Sequence, residues 1–459
     1  MYKNIKRVVA MGMLFCCLLS GCENPGKKVL KQSYIPNQTA TTTDAEGYVL
    51  TDSTEITAMA NTIVDRMSLE EQIGQMFIVN LEELDNTKGD YFEFRKCTDN
   101  MKESLQNYSV GGVILFSRNI STIQQTKNII QNLQDSVKVP LFISVDEEGG
   151  TVARIGNNSN MCTTTFPPME QVGKTEDESY AYTMGATIGK EIKELGFNLD
   201  FAPVADVKTN AYNTEIGSRS FGSDAKQVAK MVKQVVYGIQ DQGISATLKH
   251  FPGHGSVSGD SHTEPVNADS DLLGLRKTEF KPFQAGIDAG VDFVMVSHIS
   301  ISKVTEDTVP ASMSKLVLKN MLRKELGFHG VTITDALDMG AITKKYSAKT
   351  AAVNCVKAGE DMVLMTTDLP EAYQGVLEAV EAGEISEKQI HNSVVRIMEV
   401  KIKRGLILSN TDLLAPPENN SVEATADSQA TESTEQTEST ENSKGTDETE
   451  STENSKSTD

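Results

Sequence analysis

Eight short apolar runs punctuate the middle of the chain: Met76–Val79, Gly112–Phe116, Leu141–Asp146, Leu199–Pro203, Ala246–His250, Phe293–His298, Val331–Asp335 and Met362–Met365. Their apolar residues are consecutive rather than alternating with polar ones, as expected of strands covered on both faces. Between them lie stretches with helical periodicity, among them Ile120–Asp135, Ala225–Gln240, Met313–Leu326 and Lys388–Lys403. Repeated strand–helix units predict a parallel sheet, and eight of them predict an α/β fold of the closed (β/α)8 TIM-barrel type in one catalytic domain. A doubly wound open sheet is the alternative arrangement of the same elements.

The flanks carry no such pattern. Residues 1–21 read as a signal segment: Lys3, Lys6 and Arg7, then the apolar run Val8–Leu19, then Leu19-Ser-Gly-Cys22. That run is short for a membrane span. Small residues before a cysteine suit cleavage and acylation of Cys22, which would hold the protein at the extracytoplasmic face of the cell membrane as a bacterial lipoprotein. An ordinary signal peptide containing Cys22 is the other reading. Residues 22–54 are polar and predict a flexible tether. Residues 55–408 form the expected barrel, and 409–459 a disordered Ser/Thr/Glu-rich tail. The tail holds Thr-Glu-Ser-Thr-Glu-Asn-Ser-Lys twice, from Thr437 and from Thr449.

The net charge of −21 excludes an ordinary nucleic-acid binder, which needs a basic face. From Glu418 onward, twelve acids face two lysines, so ten of those negative charges sit in the tail. Cys97, Cys162 and Cys355 are scattered and odd in number, so neither a disulfide framework nor a metal knuckle is expected.

In a TIM-type barrel, chemistry gathers at the C-terminal ends of the strands. Four runs end in candidate groups: Asp146, Lys249-His250, His298 and Asp335. Asp335 lies in Thr-Ile-Thr-Asp-Ala-Leu-Asp338-Met-Gly, where its carboxylate suits attack on an anomeric carbon or capping of the next helix. Lys249-His-Phe-Pro-Gly-His-Gly is followed by Asp260-Ser-His262. A loop pairing Asp260 with His262 would raise the imidazole pKa and let it give and retake a proton. A solvated loop pair is the plainer reading. His250, His254 and His262 invite a zinc reading, but Pro252-Gly253 breaks the helix that aligns such ligands. Asp146-Glu-Glu-Gly-Gly with Arg154 suits sugar hydroxyls, although Glu147 and Glu148 also fit an acidic turn. Arg219, in Gly217-Ser-Arg-Ser-Phe-Gly, reads as a ligand contact or a surface arginine.

Together these motifs, with Met67-Ser-Leu-Glu-Glu-Gln-Ile-Gly-Gln-Met, resemble glycoside hydrolase family 3, in its β-N-acetylhexosaminidase branch, over about residues 55 to 408. The resemblance implies a retaining exo-β-N-acetylglucosaminidase with Asp335 as nucleophile, His262 as acid/base and Asp260 as its partner. It implies sugar contacts from Asp146, Arg154, Arg219, Lys249 and His250; His298 is carried over only as a further candidate contact. Many relatives have Gln where this chain has Glu147, which is tolerable if that side chain faces away from the sugar. The expected partner is an oligosaccharide, a muropeptide or a chitin fragment. No protein partner is inferable, and no metal, nucleotide or flavin motif appears, so no cofactor is expected. Two alternatives remain at this stage: a β-N-acetylglucosaminide phosphorylase, and a glycan-binding lipoprotein with an inactive barrel.

Overall fold

The computed structural model describes residues 49–415; the signal, Cys22 and acidic-repeat expectations lie outside the described residues. The eight apolar runs become eight parallel strands of one closed barrel: β1 (Phe77–Val79), β2 (Gly112–Ile114), β3 (Phe142–Val145), β6 (Leu199–Asp200), β7 (Ser245–Phe251), β8 (Phe293–Val296), β9 (Val331–Ala336) and β10 (Met362–Leu364). Each pairs with its neighbour in sequence order, and β1 closes onto β10 through Phe77 opposite Val363. The open-sheet alternative is thereby excluded. A small antiparallel hairpin, β4 (Glu147–Gly149) with β5 (Val152–Ala153), follows β3.

The barrel interior is filled. Phe142 and Phe293 meet edge to face, with ring centroids 5.2 Å apart, and both are fully buried. Helices begin where the sequence supplies caps. Thr122 caps Ile123–Gln134, Asp224 caps Ala225–Asp241 and Ser386 caps Glu387–Lys403. Ser68 and Glu71 form a reciprocal capping box on Leu69–Gln75. The helix expected over Met313–Leu326 is present as Leu316–Glu325, but wound as a π-helix.

The helix Glu387–Lys403 crosses the N-terminal end of the barrel, where the strands begin. Arg396 grips Asp361 at 2.6 Å, just before β10, and Lys403 reaches Asp292 at 2.8 Å, just before β8. Lys401 donates to Gln75 at 2.7 Å, ahead of β1. This helix forms the floor of the molecule, and the opposite end is the mouth.

The ordered body reaches further at both ends than the sequence suggested. Leu50 is buried, and Asp52 caps a helix over Ser53–Val64, so the last residues of the expected tether belong to the folded body. Residues 409–415 are likewise ordered: Arg66 donates to the Leu413 and Ala415 carbonyls at 3.3 and 3.0 Å. Leu413 and Leu414 pack on the core, which supplies the apolar contact that composition alone concealed.

Candidate active site

The mouth gathers the charged strand ends. Lys249 is buried, and its ammonium lies 2.7 Å from both Asp146 and Glu148. Arg219 forks onto Glu148 with bonds of 2.9 and 2.7 Å. Arg154 approaches Asp146 at 3.5 Å. Burial alone would raise the Glu148 carboxyl, but the cations of Arg219 and Lys249 outweigh it and hold Glu148 ionised, well below the usual carboxylate range. Asp146 is held down by Lys249 and Arg154 against the same penalty. Burial works against the Lys249 charge, yet Asp146 and Glu148 raise its pKa. The result is a prepaid array of fixed charges facing the mouth, suited to polar recognition.

His250 is oriented by a group the sequence reading did not single out. Asp206, fully buried, meets its Nδ1 at 2.7 Å, and Arg219 lies 3.4 Å from its Nε2. Asp206 also accepts from the backbone N–H of His254 at 2.6 Å, so one carboxylate fixes both ends of the turn between them. A signal was available: Asp206 is the lone charge ending Phe201-Ala-Pro-Val-Ala.

Glu147 turns away from this array. Its carboxylate accepts from the Ile155 and Gly156 N–H groups, each at 2.8 Å, and burial pushes its pKa up to about 7. The acidic-turn reading thus fits Glu147 but not Glu148. His298 is buried, with Nδ1 2.8 Å from the Ser312 hydroxyl and Nε2 3.0 Å from the Ala336 carbonyl. Both its ring nitrogens are engaged within the protein. It therefore supports the backbone beside Asp335 and presents no free polar atom to the mouth. Burial lowers its pKa.

Asp335 ends β9 inside the mouth and accepts from the Ala336 N–H at 2.9 Å. This short local bond is not a helix cap; the following short helix, Gly340–Thr343, is preceded by Met339. The loop that carries His262 docks beside it. Gly340 N–H donates to the His262 carbonyl at 2.8 Å, and Ala341 N–H to the Ser261 carbonyl at 3.2 Å. A Cβ on Gly340 would meet the Thr263 carbonyl oxygen at 2.5 Å, so this contact requires glycine.

The His262 Nδ1 lies 2.9 Å from Asp260, the expected partner, and 3.2 Å from Glu215, which the sequence reading missed. Asp260 is nearer, but about half exposed; Glu215 is buried and therefore less screened by water. Glu215 also accepts from the Ser261 N–H at 3.0 Å and hydroxyl at 2.9 Å, and its backbone carbonyl takes a bond from Arg219. It links the charged array to the imidazole. Burial opposes its charge, but His262, His254 and the Ser261 N–H hold its pKa down to about 2. The Glu215 hydrogen bond is the main reason that the His262 pKa rises to about 9; the charge of Asp335 adds to it. The bond from Gly340 to the His262 carbonyl ties this imidazole's backbone to the turn that follows Asp335.

The three histidines do not converge as ligands: His254 turns to Ser261 and Glu215, and His250 to Asp206. Glu215, Asp260 and His262 bring one ligand atom each within 4.8 Å of one another, so both carboxylates crowd the same imidazole. A carboxylate and a protonated imidazole at one rim can supply nucleophilic and acid catalysis.

The chain is similar to several known proteins. β-Hexosaminidase A of Pseudoalteromonas piscicida is 32% identical over 357 residues, 71% of this chain; the chain spans 59% of that protein. β-Hexosaminidase of Hydrogenovibrio crunogenus is 35% identical over 297 residues, covering 63% of this chain and 81% of the relative. The solved family 3 β-N-acetylglucosaminidase from Paenibacillus sp. superposes with a TM-score of 0.69 at 34% identity, covering 76% of this chain and 68% of that one. A solved β-glucoside phosphorylase superposes with a TM-score of 0.69 at 25% identity, over 79% of this chain and 63% of that one. The glycosyl hydrolase family 3 N-terminal domain matches residues 68–400, from the capping box of Ser68 almost to the end of the floor helix. A barrel of this topology, with that match over most of its length, belongs to glycosyl hydrolase family 3, a family of glycosidases.

Proposed function

We propose that the protein is a retaining exo-β-N-acetylglucosaminidase. The observation that carries this reading is the docking of the Asp260–His262 loop on Gly340 and Ala341, which brings a carboxylate-backed imidazole beside Asp335. The names of the hexosaminidase and N-acetylglucosaminidase relatives support the sugar class.

In this mechanism, Asp335 attacks the anomeric carbon while His262 gives its proton to the leaving oxygen. Water then attacks the glycosyl-enzyme ester, His262 takes its proton, and two inversions give net retention. A His262 pKa of about 9 keeps the acid charged at neutral pH. Asp260 and Glu215 stabilise the imidazolium, and positioned acid/base catalysis contributes on the order of 100- to 10,000-fold. Asp146, Lys249, Arg154, Arg219 and His250 orient the sugar hydroxyls, with Glu148 and Asp206 fixing the cations and the ring. Cell-wall or chitin-type glycans ending in N-acetylglucosamine are the substrates, met at the outer face of a membrane through acylated Cys22.

The test is hydrolysis of an aryl β-N-acetylglucosaminide. Asp335→Ala abolishes turnover and His262→Ala slows it severely; near-parental activity of Asp335→Ala overturns the assignment. Trapping a 2-fluoro or related mechanism-based label on Asp335 distinguishes an enzyme from a glycan-binding barrel.

The likeness to a β-glucoside phosphorylase favours one second reading. After proton donation, a neutral imidazole does not repel phosphate. The acids around it, Glu215, Asp260 and Asp338, favour water instead. Product analysis with and without inorganic phosphate decides between N-acetylglucosamine and its 1-phosphate.

A further inference from the structure

The groups that suit the first sugar come from one arc of the mouth, the ends of β3, β6 and β7. The opposite arc holds a second cleft of about 270 Å³, close to the ~300 Å³ lower end of ligand sites. Asn80, Glu82 and Glu83 from the loop after β1, Arg118 after β2, Asp338 after β9 and Thr366 after β10 line it. Asp338 follows Asp335 by three residues on the turn leaving β9, so this cleft adjoins the proposed reacting centre. The His262 loop is tied to Gly340, two residues from Asp338, so a leaving oxygen protonated there is delivered toward the cleft.

A ladder of rings and guanidinium groups joins the two arcs. Arg154, beside Asp146, lies 5.9 Å from the centroid of the Phe116 ring; Arg118 lies 4.4 Å from the same centroid and 5.4 Å from that of the Tyr91 ring. Tyr91 is 74% exposed at the cleft edge, an aromatic face left open where a sugar ring can stack. The charges are one-sided. Arg118, the one base lining the cleft, is already paired with Glu82 at 2.5 Å. Glu83, pushed up to about 8 by burial, is neutral at pH 7. Against that one guanidinium stand Glu82, Asp90, Asp338 and Asp368, so the lining is net acidic. The second Glu82 carboxylate oxygen is buried without a hydrogen-bond partner.

We propose that this cleft binds the leaving-group sugar, stacks it on Tyr91, and selects a neutral or cationic amino sugar over one bearing a carboxylate. The inference rests on the proposed glycosidase reading and deepens it. It favours chitin-type disaccharides, acetylated or not on the second ring, over muramic acid, whose lactyl carboxylate would meet a lining in which acids outnumber the single arginine.

The experiment compares kcat/KM of the full chain on three β-1,4 disaccharides with N-acetylglucosamine at the non-reducing end. Their second rings are glucosamine, N-acetylglucosamine and N-acetylmuramic acid. N-acetylglucosaminyl fluoride, whose leaving group is a single atom, is the control. The expected order is cationic above neutral above anionic, with about ten-fold between the extremes at low salt and less at high salt. Tyr91→Ala lowers kcat/KM about ten-fold on the disaccharides and leaves the fluoride unchanged. Asp338→Asn narrows the ratio of cationic to anionic substrate. If the fluoride is cleaved but the anionic disaccharide is turned over as well as the cationic one, the inference fails while the glycosidase reading stands. If the fluoride is not cleaved, both fail together.

Discussion

Gly340 N–H holds the His262 carbonyl at 2.8 Å, so the residue that secures the imidazole lies on the turn leaving the strand of Asp335. The two halves of the proposed reacting centre are therefore joined through backbone. Gly340→Ala would drive a Cβ into the Thr263 carbonyl at 2.5 Å and lift the loop. The expected result is a loss of at least ten-fold in kcat with little change in thermal stability, since the loop adds little to the core. Steady-state kinetics with a melting curve checks this; full activity would show that the docking is dispensable.

Glu215 governs the proton. A His262 pKa of about 9, raised chiefly by Glu215, places the alkaline limb of kcat/KM near that pH, because the protonated acid is lost only above it. Glu215→Gln removes the charge and should draw the limb down toward the ordinary imidazole value of ~6.5. Asp260→Asn should move it less, because Asp260 is half exposed and screened. A pH–rate profile that Glu215→Gln leaves in place would refute this division of labour.

Glu148 serves two cations at once, Lys249 and Arg219. Glu148→Gln leaves both short of a buried counter-charge, and breaking such a pair costs on the order of 3 kcal/mol. KM should rise more than kcat falls, because the displaced groups bind rather than react. Urea denaturation and kinetics on one preparation measure both effects.

Lys401 makes an opposite case. It is fully buried above the floor, 5.0 Å from the Phe142 ring, and burial pushes its pKa down to about 7 from 10.5. Between those values the unfolded chain binds more protons than the folded one, so this group makes stability rise with pH across that window. Lys401→Met should exceed the parent in stability at pH 6, and the gain should shrink by pH 10. Equal pH slopes for the two proteins would rule this out. His262, whose pKa is raised, works in the other direction and is common to both.

The barrel was legible because its strands are buried on both faces and therefore read as unbroken apolar runs; the residues closing those runs, Asp146, Lys249, His250 and Asp335, all reach the mouth. Asp260 beside His262 was legible because a two-residue spacing is a local matter. Glu215 was not. It sits in the irregular segment between Asn210 and Ser220, and its partners, Ser261 and His262, are far along the chain. Glu148 was hidden by its neighbour: two adjacent glutamates look alike in sequence, yet one caps a turn and the other anchors two cations. The floor was equally opaque, since nothing local pairs Arg396 with Asp361 or Lys403 with Asp292.

The floor helix also decides which way the molecule can face. Val49 packs against Gly405, just past that helix, and Arg66 clasps the Ala415 carbonyl nearby. The first and last described residues, Val49 and Ala415, thus both lie on the underside. A probe attached at Val49 or Ala415 would sit on the base, away from the mouth, so labelling there should leave the access of bulky glycans unchanged.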